Sequence, residues 1–128
     1  MLEHVGRKSG QQRYVVLEII DHPAADRYVV VSGFGTRAQW YRNVVANPQV
    51  RVHLASHKPV PAIAQRLDAA GAAVALSRYA AAHPRAWAEL RPILERTLGA
   101  RIDEHVAELP MIAIDLVNVD RAKLTNHR

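Results

Sequence analysis

The apolar positions of this chain follow two different periods. Up to about Leu67 they come in short runs rich in β-branched residues, and from Asp68 they recur at helical spacing. Leu2–Val5 reads as a short strand. Tyr14–Ile20 is almost unbroken in its apolar character, as in a strand covered on both faces. The segment 21–26 reads as a turn and Arg27–Ser32 as a second buried strand, so the two form a hairpin. In Val50–Leu54, Val50, Val52 and Leu54 point one way while Arg51 and His53 point the other. Val60–Leu67 is the returning strand, with Pro61 predicting a sheet edge or a bulge. Met111–Val119 is the last strand.

The helical segments carry their own stop signals. Thr36 is a candidate cap for a helix over Arg37–Ala46, which Asn47-Pro48 ends because the residue before proline avoids the helical region. Trp40 and Val44 share one face of it, Tyr41 and Val45 another, and Asn43 lies close to the first. Asp68 caps an alanine-rich helix to about Ala82, with Leu76, Ala80 and His83 as its stripe. His83-Pro84 breaks it. A further helix runs to about Leu98 with Trp87, Leu90, Leu94 and Leu98 inward, Pro92 as a kink and Gly99 as its stop. The polar stretch Arg101–Glu108 is a turn of helix or a loop. These elements predict a mainly β (α+β) fold: a small antiparallel barrel of five to six strands, one short helix and an inserted helical pair. No repeat or linker divides residues 1–128, so we expect one domain.

Composition narrows the class. The chain has 128 residues, 49% of them hydrophobic, enough for a real core and too many for a disordered protein. It has no cysteine, which excludes disulfides and thiolate metal sites. No apolar run nears the ~20 residues that cross a bilayer, so no stable membrane insertion is expected. Met1–Val5 has neither a basic nor an apolar leader, so no signal peptide is expected and a cytoplasmic location is the default. The formal net charge of +5 favours an anionic partner. The cations are dispersed, which suits a small polyanion rather than a long duplex; no nucleic-acid partner is expected.

One stretch concentrates chemistry. Gly6-Arg7-Lys8-Ser9-Gly10, followed by Arg13, packs cations and glycines just ahead of an apolar run. It reads as a cradle for a phosphate-bearing ligand, with glycines turning backbone N–H groups toward the anion and the cations adding charged hydrogen bonds. The competing reading is a basic turn between two strands. The seven histidines form no tight ligand pair, so no metal is expected. A Gly-x-Ser-x-Gly elbow, a Rossmann fingerprint and a P-loop are all missing.

The cradle, a strand ending in Ser32, a glycine-bearing loop, Trp40-Tyr41-x-Asn43-x-x-Ala46-Asn47-Pro48-x-Val50 and a late Leu109-Pro110-Met111 stand in tandem. In this the chain resembles the deazaflavin-dependent nitroreductases of the flavin and deazaflavin split-barrel group, over roughly residues 4 to 119. The resemblance implies a split β-barrel that binds coenzyme F-420, whose reduced form gives a hydride to a small-molecule electron acceptor such as a quinone, nitroaromatic or enone. It implies that Arg7, Lys8, Ser9, Gly10 and Arg13 hold the cofactor phosphate. It places Ser32 and Gly33 against the ring, with Ser32 as a candidate proton donor, and puts Trp40 and Asn43 in the cofactor pocket. Relatives carry a lysine where Gly33 stands, and Arg37 is a candidate replacement. They carry tyrosines where this chain has His83-Pro-Arg-Ala-Trp87, so His83 and Trp87 become candidate substrate-pocket residues, with interhelical packing as the alternative. FMN in the same barrel and a non-catalytic binding module remain as other readings. A homodimer would bury an edge strand.

Overall fold

Strand and helix follow one another in an order that keeps both chain halves in a single sheet. The computed structural model describes residues 1–32, 37–54, 58–99 and 110–117. Among them are β1 (Leu2–Val5), β2 (Gln12–Val15), β3 (Ile19–Ala24), β4 (Arg27–Val31), α1 (Gln39–Ala46), β5 (Gln49–Val52), β6 (Val60–Arg66), α2 (Ala69–Ala82), α3 (Pro84–Leu98) and β7 (Met111–Leu116). All strand pairings are antiparallel, in the order β2-β1-β5-β6-β7-β4-β3. The sheet curls into a half-barrel. Leu2 of β1, Ile19 of β3, Val30 of β4, Val52 of β5 and Ile114 of β7 line one small apolar cavity of about 50 Å³ although their strands are spread across the sheet.

The antiparallel, mainly β fold is as expected, but it has seven strands. The run Tyr14–Ile20 divides between β2 and β3, which lie at opposite edges of the sheet. Its apolar character has a different origin from the one the pattern suggested. Val15 and Leu17 pack against the inner core, Ile20 belongs to the outer one, and Val16 is 82% exposed. The β3–β4 hairpin forms, with its turn confined to Ala25-Asp26.

Two clusters sandwich the sheet. On the concave side Leu2, Val30, Val50, Val52, Ala62, Ala64, Ile112 and Ile114 pack on Trp40, Tyr41 and Val44 of α1. On the convex side Ile20, Val29, Val31 and Met111 pack on Ala72, Ala75, Leu76 and Tyr79 of α2 and Leu94 of α3. β4 and β7 are therefore covered on both faces, which is why Val29-Val30-Val31 and Met111-Ile112-Ala113-Ile114 are unbroken apolar runs. Arg27 Nε and Nη2 donate to the two Asp115 carboxylate oxygens at 2.7 and 3.2 Å across the β4–β7 register. Pro61 lies in an interior strand, not at an edge. It is the second residue of β6, between β5 and β7, and its carbonyl accepts from the Val117 N–H.

Asp68 caps α2 as predicted, its Oδ1 accepting from the Gly71 N–H at 2.7 Å. The buried stripe is Ala72, Ala75, Leu76 and Tyr79; Ala80 is only partly buried and His83 is exposed. Pro84 opens α3, Leu94 is fully buried in it, and Gly99 closes it at φ 70°. α1 starts at Gln39, two residues later than expected, after Ala38 with φ −59° and ψ 132°. Thr36, the polar stretch Arg101–Glu108 and the residues after Val117 lie outside the described residues.

Candidate functional site

β1 and β2 are joined by Gly6–Gln11, and the connection is built on its own backbone. The Gly6 N–H donates to Gln11 O at 2.8 Å, the Gly10 N–H to Gly6 O at 2.9 Å and the Gln11 N–H to Ser9 Oγ at 3.2 Å. Gly10 has φ 73°, the left-handed region that glycine enters without penalty. A Cβ on Gly6 would stand 2.7 Å from Ser9 Oγ. The two glycines thus serve the turn. Gly10 lines no part of the cleft described below, and the expected nest of anion-facing N–H groups does not form at Gly6, Arg7, Gly10 or Gln11, whose N–H groups are taken inside the protein. What the turn does is hold up side chains.

Those side chains open on a cleft of about 960 Å³ between the turn, β1, β2 and the start of α1. Among the described residues its lining carries Arg7, Lys8, Arg13, Arg37 and Arg42 and no carboxylate. Ser9, Gln39, Trp40 and Asn43 also line it. Ala38 at the start of α1 lines the cleft, has no side chain able to cap the helix, and the first turn holds no acidic residue. The positive end of the helix dipole therefore adds to the cationic side chains. Lys8, Arg13, Arg37 and Arg42 are exposed, and Arg7 is half-buried.

Arg7 is half-buried because it is anchored. Its N–H and its Nη1 both donate to Asn43 Oδ1, at 3.1 and 2.8 Å, and Nη1 also donates to Gln39 Oε1 at 2.9 Å. Asn43 is 5% exposed, and its Nδ2 lies 3.2 Å from Nδ1 of His4, itself 4% exposed. Burial, and then the charge of Arg13 opposite it on β2, push the His4 pKa below its ordinary value. Trp40 is 8% exposed. It stands edge-on to Tyr41 at 6.0 Å within the concave core, with one side on the cleft.

The predicted site residues do not all meet in one place. Arg7, Lys8, Ser9, Arg13, Trp40 and Asn43 come together at the cleft, with Asn43 turned to protein partners. Ser32 follows β4, is 1% exposed and does not line the cleft; its N–H donates to Pro110 O. Gly33 lies outside the described residues. His83 and Trp87 are elsewhere. Both gather around Tyr79, at ring distances of 5.4 and 6.5 Å, in the α2–α3 packing, and neither lines the cleft. The helical spacing that packs partly buried Trp87 and Leu90 beside Leu94 gives the interhelical reading its physical reason. Sequence reasoning missed His4, Gln39 and Arg42. The signal for His4 was its place between Leu2 and the glycine turn, on the same strand face as Leu2.

The donor set suits an acidic ligand tail, and the apolar flank of Trp40 suits a flat ring. Comparison with known proteins agrees. The sequence matches the family described as F420H(2)-dependent quinone reductase over residues 1–105. No curated protein matches it. Two solved structures resemble the fold, each with TM-score 0.61 and 25% identity over 89% of this chain. One is described as a domain-swapped dimer and is covered over 77% of its length. The other, covered over 90%, is an F420-H2 dependent reductase (FDR-A). The match spans the cationic cleft and almost the whole half-barrel, and the chain belongs to the F420H(2)-dependent quinone reductase family.

Proposed function

We propose that the cationic cleft grips the acidic tail of coenzyme F-420 while the wall formed by Trp40 frames its ring, so that a quinone is reduced at the exposed side. The observation that carries this reading is a lining with five cations and no carboxylate among the described residues, placed beside the start of a helix whose Ala38 has no side chain to cap it. The family's activity is that of an F-420-dependent oxidoreductase, which favours the deazaflavin over FMN and an enzyme over a passive binding module.

Reduced coenzyme F-420 supplies a hydride when bound, and the quinone takes this with a proton to become a hydroquinone. The chain's own part is to bind and orient. Lys8 and Arg13 are exposed charges on a turn and a neighbouring strand, and Arg7 is pre-set by Asn43 and Gln39, so little side-chain order is lost when an anion arrives. Ser9 Oγ accepts from the Gln11 N–H, which leaves its own O–H to donate into the cleft. Ser32 is too deeply buried for the role of proton donor in this reading, and solvent at the open cleft supplies the proton. We also infer a homodimer, for which the solved domain-swapped neighbour and the exposed edge strand β2 are the support.

Titration of the purified protein with coenzyme F-420 tests the reading. Lys8→Glu should weaken binding by about tenfold, the scale of one charged hydrogen bond, and the loss should shrink as salt rises. Unchanged affinity in Lys8→Glu at moderate salt would contradict it.

A further inference from the structure

We propose that His4 is a positioning residue of the cleft: its neutral ring accepts a hydrogen bond from the Asn43 amide, fixes which way that amide points, and so holds Arg7 against α1. The inference rests on the cofactor reading above for its consequence but not for its geometry. Arg7 presents two donors to Asn43 Oδ1, the backbone N–H at 3.1 Å and Nη1 at 2.8 Å. An amide oxygen that accepts both cannot be exchanged with the amide nitrogen without setting donors against donors. The amide orientation is thereby fixed, and Nδ2 is the atom 3.2 Å from His4 Nδ1. Nδ2 carries only hydrogens to give, so Nδ1 must be the bare acceptor and the ring proton must sit on Nε2. A chain of hydrogen bonds then runs from β1 through α1 to the turn, from buried His4 and Asn43 out to half-buried Arg7.

The charged neighbours agree with a neutral ring. Arg13 stands opposite His4 on β2, Arg7 lies one amide away, and Arg42 of α1 lines the same cleft. Among the described residues no carboxylate lines that side; Glu3, the adjacent residue on β1, points to the other face, where His53 Nε2 lies 3.0 Å from its Oε1. Protonating His4 would put an N–H against the Asn43 NH2 group. The amide would have to turn, and turning it would set its NH2 against Arg7. Acid therefore uncouples Arg7 from the cleft. A direct attraction between a charged His4 and the anionic ligand would act in the opposite sense, so the sign of the pH effect separates the two.

A long-range proton–nitrogen NMR spectrum of isotope-labelled protein at neutral pH reads the tautomer without any cofactor. The His4 signal, assigned by its loss in His4→Asn, should show a protonated Nε2 and a bare Nδ1. A proton on Nδ1 would overturn the proposal. Cofactor titration gives the second arm. His4→Phe should bind coenzyme F-420 about tenfold more weakly. His4→Asn, whose Oδ1 stands where Nδ1 stood, should keep most of the affinity and lose the parent's weakening in acid, which sets in below the ordinary histidine range because burial and the charge of Arg13 hold the ring neutral. Thermal melts of each variant confirm folding, and the tautomer and His4→Asn arms stand whatever happens to His4→Phe. Parent-like binding in a folded His4→Phe, or parent affinity that rises in acid, would contradict the coupling. A parent that binds no coenzyme F-420 yet shows the expected tautomer would overturn the cofactor reading and leave the positioning chain standing.

Discussion

A few positions decide the shape of the cleft, and they do so by geometry as much as by charge. Gly10 sits at φ 73°, with nothing within 4 Å of the place a Cβ would take. The obstacle to any other residue there is backbone strain, not space. Gly10→Ala should cost roughly 1 to 2 kcal/mol, the penalty of a left-handed residue with a Cβ, seen as a melting point lowered by a few degrees. Gly10→Asn should cost less, because asparagine tolerates that conformation. Equal melting points for Gly10→Ala and the parent would show that the turn is not held as described. The charges of this turn were legible in the sequence, and their closeness to Trp40 was implied by the family resemblance. The role of Asn43 was not. A residue three after Trp40 shares its neighbourhood, but that its amide is spent on Arg7 and His4 depends on a β1–α1 contact between residues 39 positions apart.

Elements were legible wherever local chemistry was decisive. Asp68 as a cap, the His83-Pro84 break and Gly99 as a stop all act within one turn of chain, and each stands where it was read. Tyr14–Ile20 misled because periodicity reports burial and not which core does the burying. A run that crosses from one sheet edge to the other, touching the inner core at Val15 and Leu17 and the outer core at Ile20, looks like one double-faced strand. His83 and Trp87, candidates for the substrate pocket by resemblance, stand around Tyr79, one helical turn before His83, and do not line the cleft. Edge strands carry the remaining prediction at this scale. The three residues Gln12–Tyr14 of β2 are exposed on a strand with one partner, β1. Light scattering in solution should give twice the chain mass of 14.2 kDa, as strand pairing between two copies requires. A monomer at micromolar concentration would contradict the inferred dimer.

At the scale of the molecule, the half-barrel divides its labour between two faces. The convex face is closed by α2 and α3, whose stripe buries Ile20, Val29, Val31 and Met111. Among the described residues the concave face is closed by α1, and the cleft opens where α1 begins, beside the turn that carries Arg7 and Lys8. Positive charge on the described lining of the cleft, with an overall charge of +5, would draw an anionic cofactor toward the end of the molecule where α1 begins. A crystal structure of the protein with coenzyme F-420 bound addresses this arrangement most directly. The phosphate and the acidic tail should lie within hydrogen-bonding reach of Lys8 and Arg13, with Arg7 still joined to Asn43 and the ring against Trp40. A tail lying along α2 and α3, with Lys8 and Arg13 facing only solvent, would contradict the account.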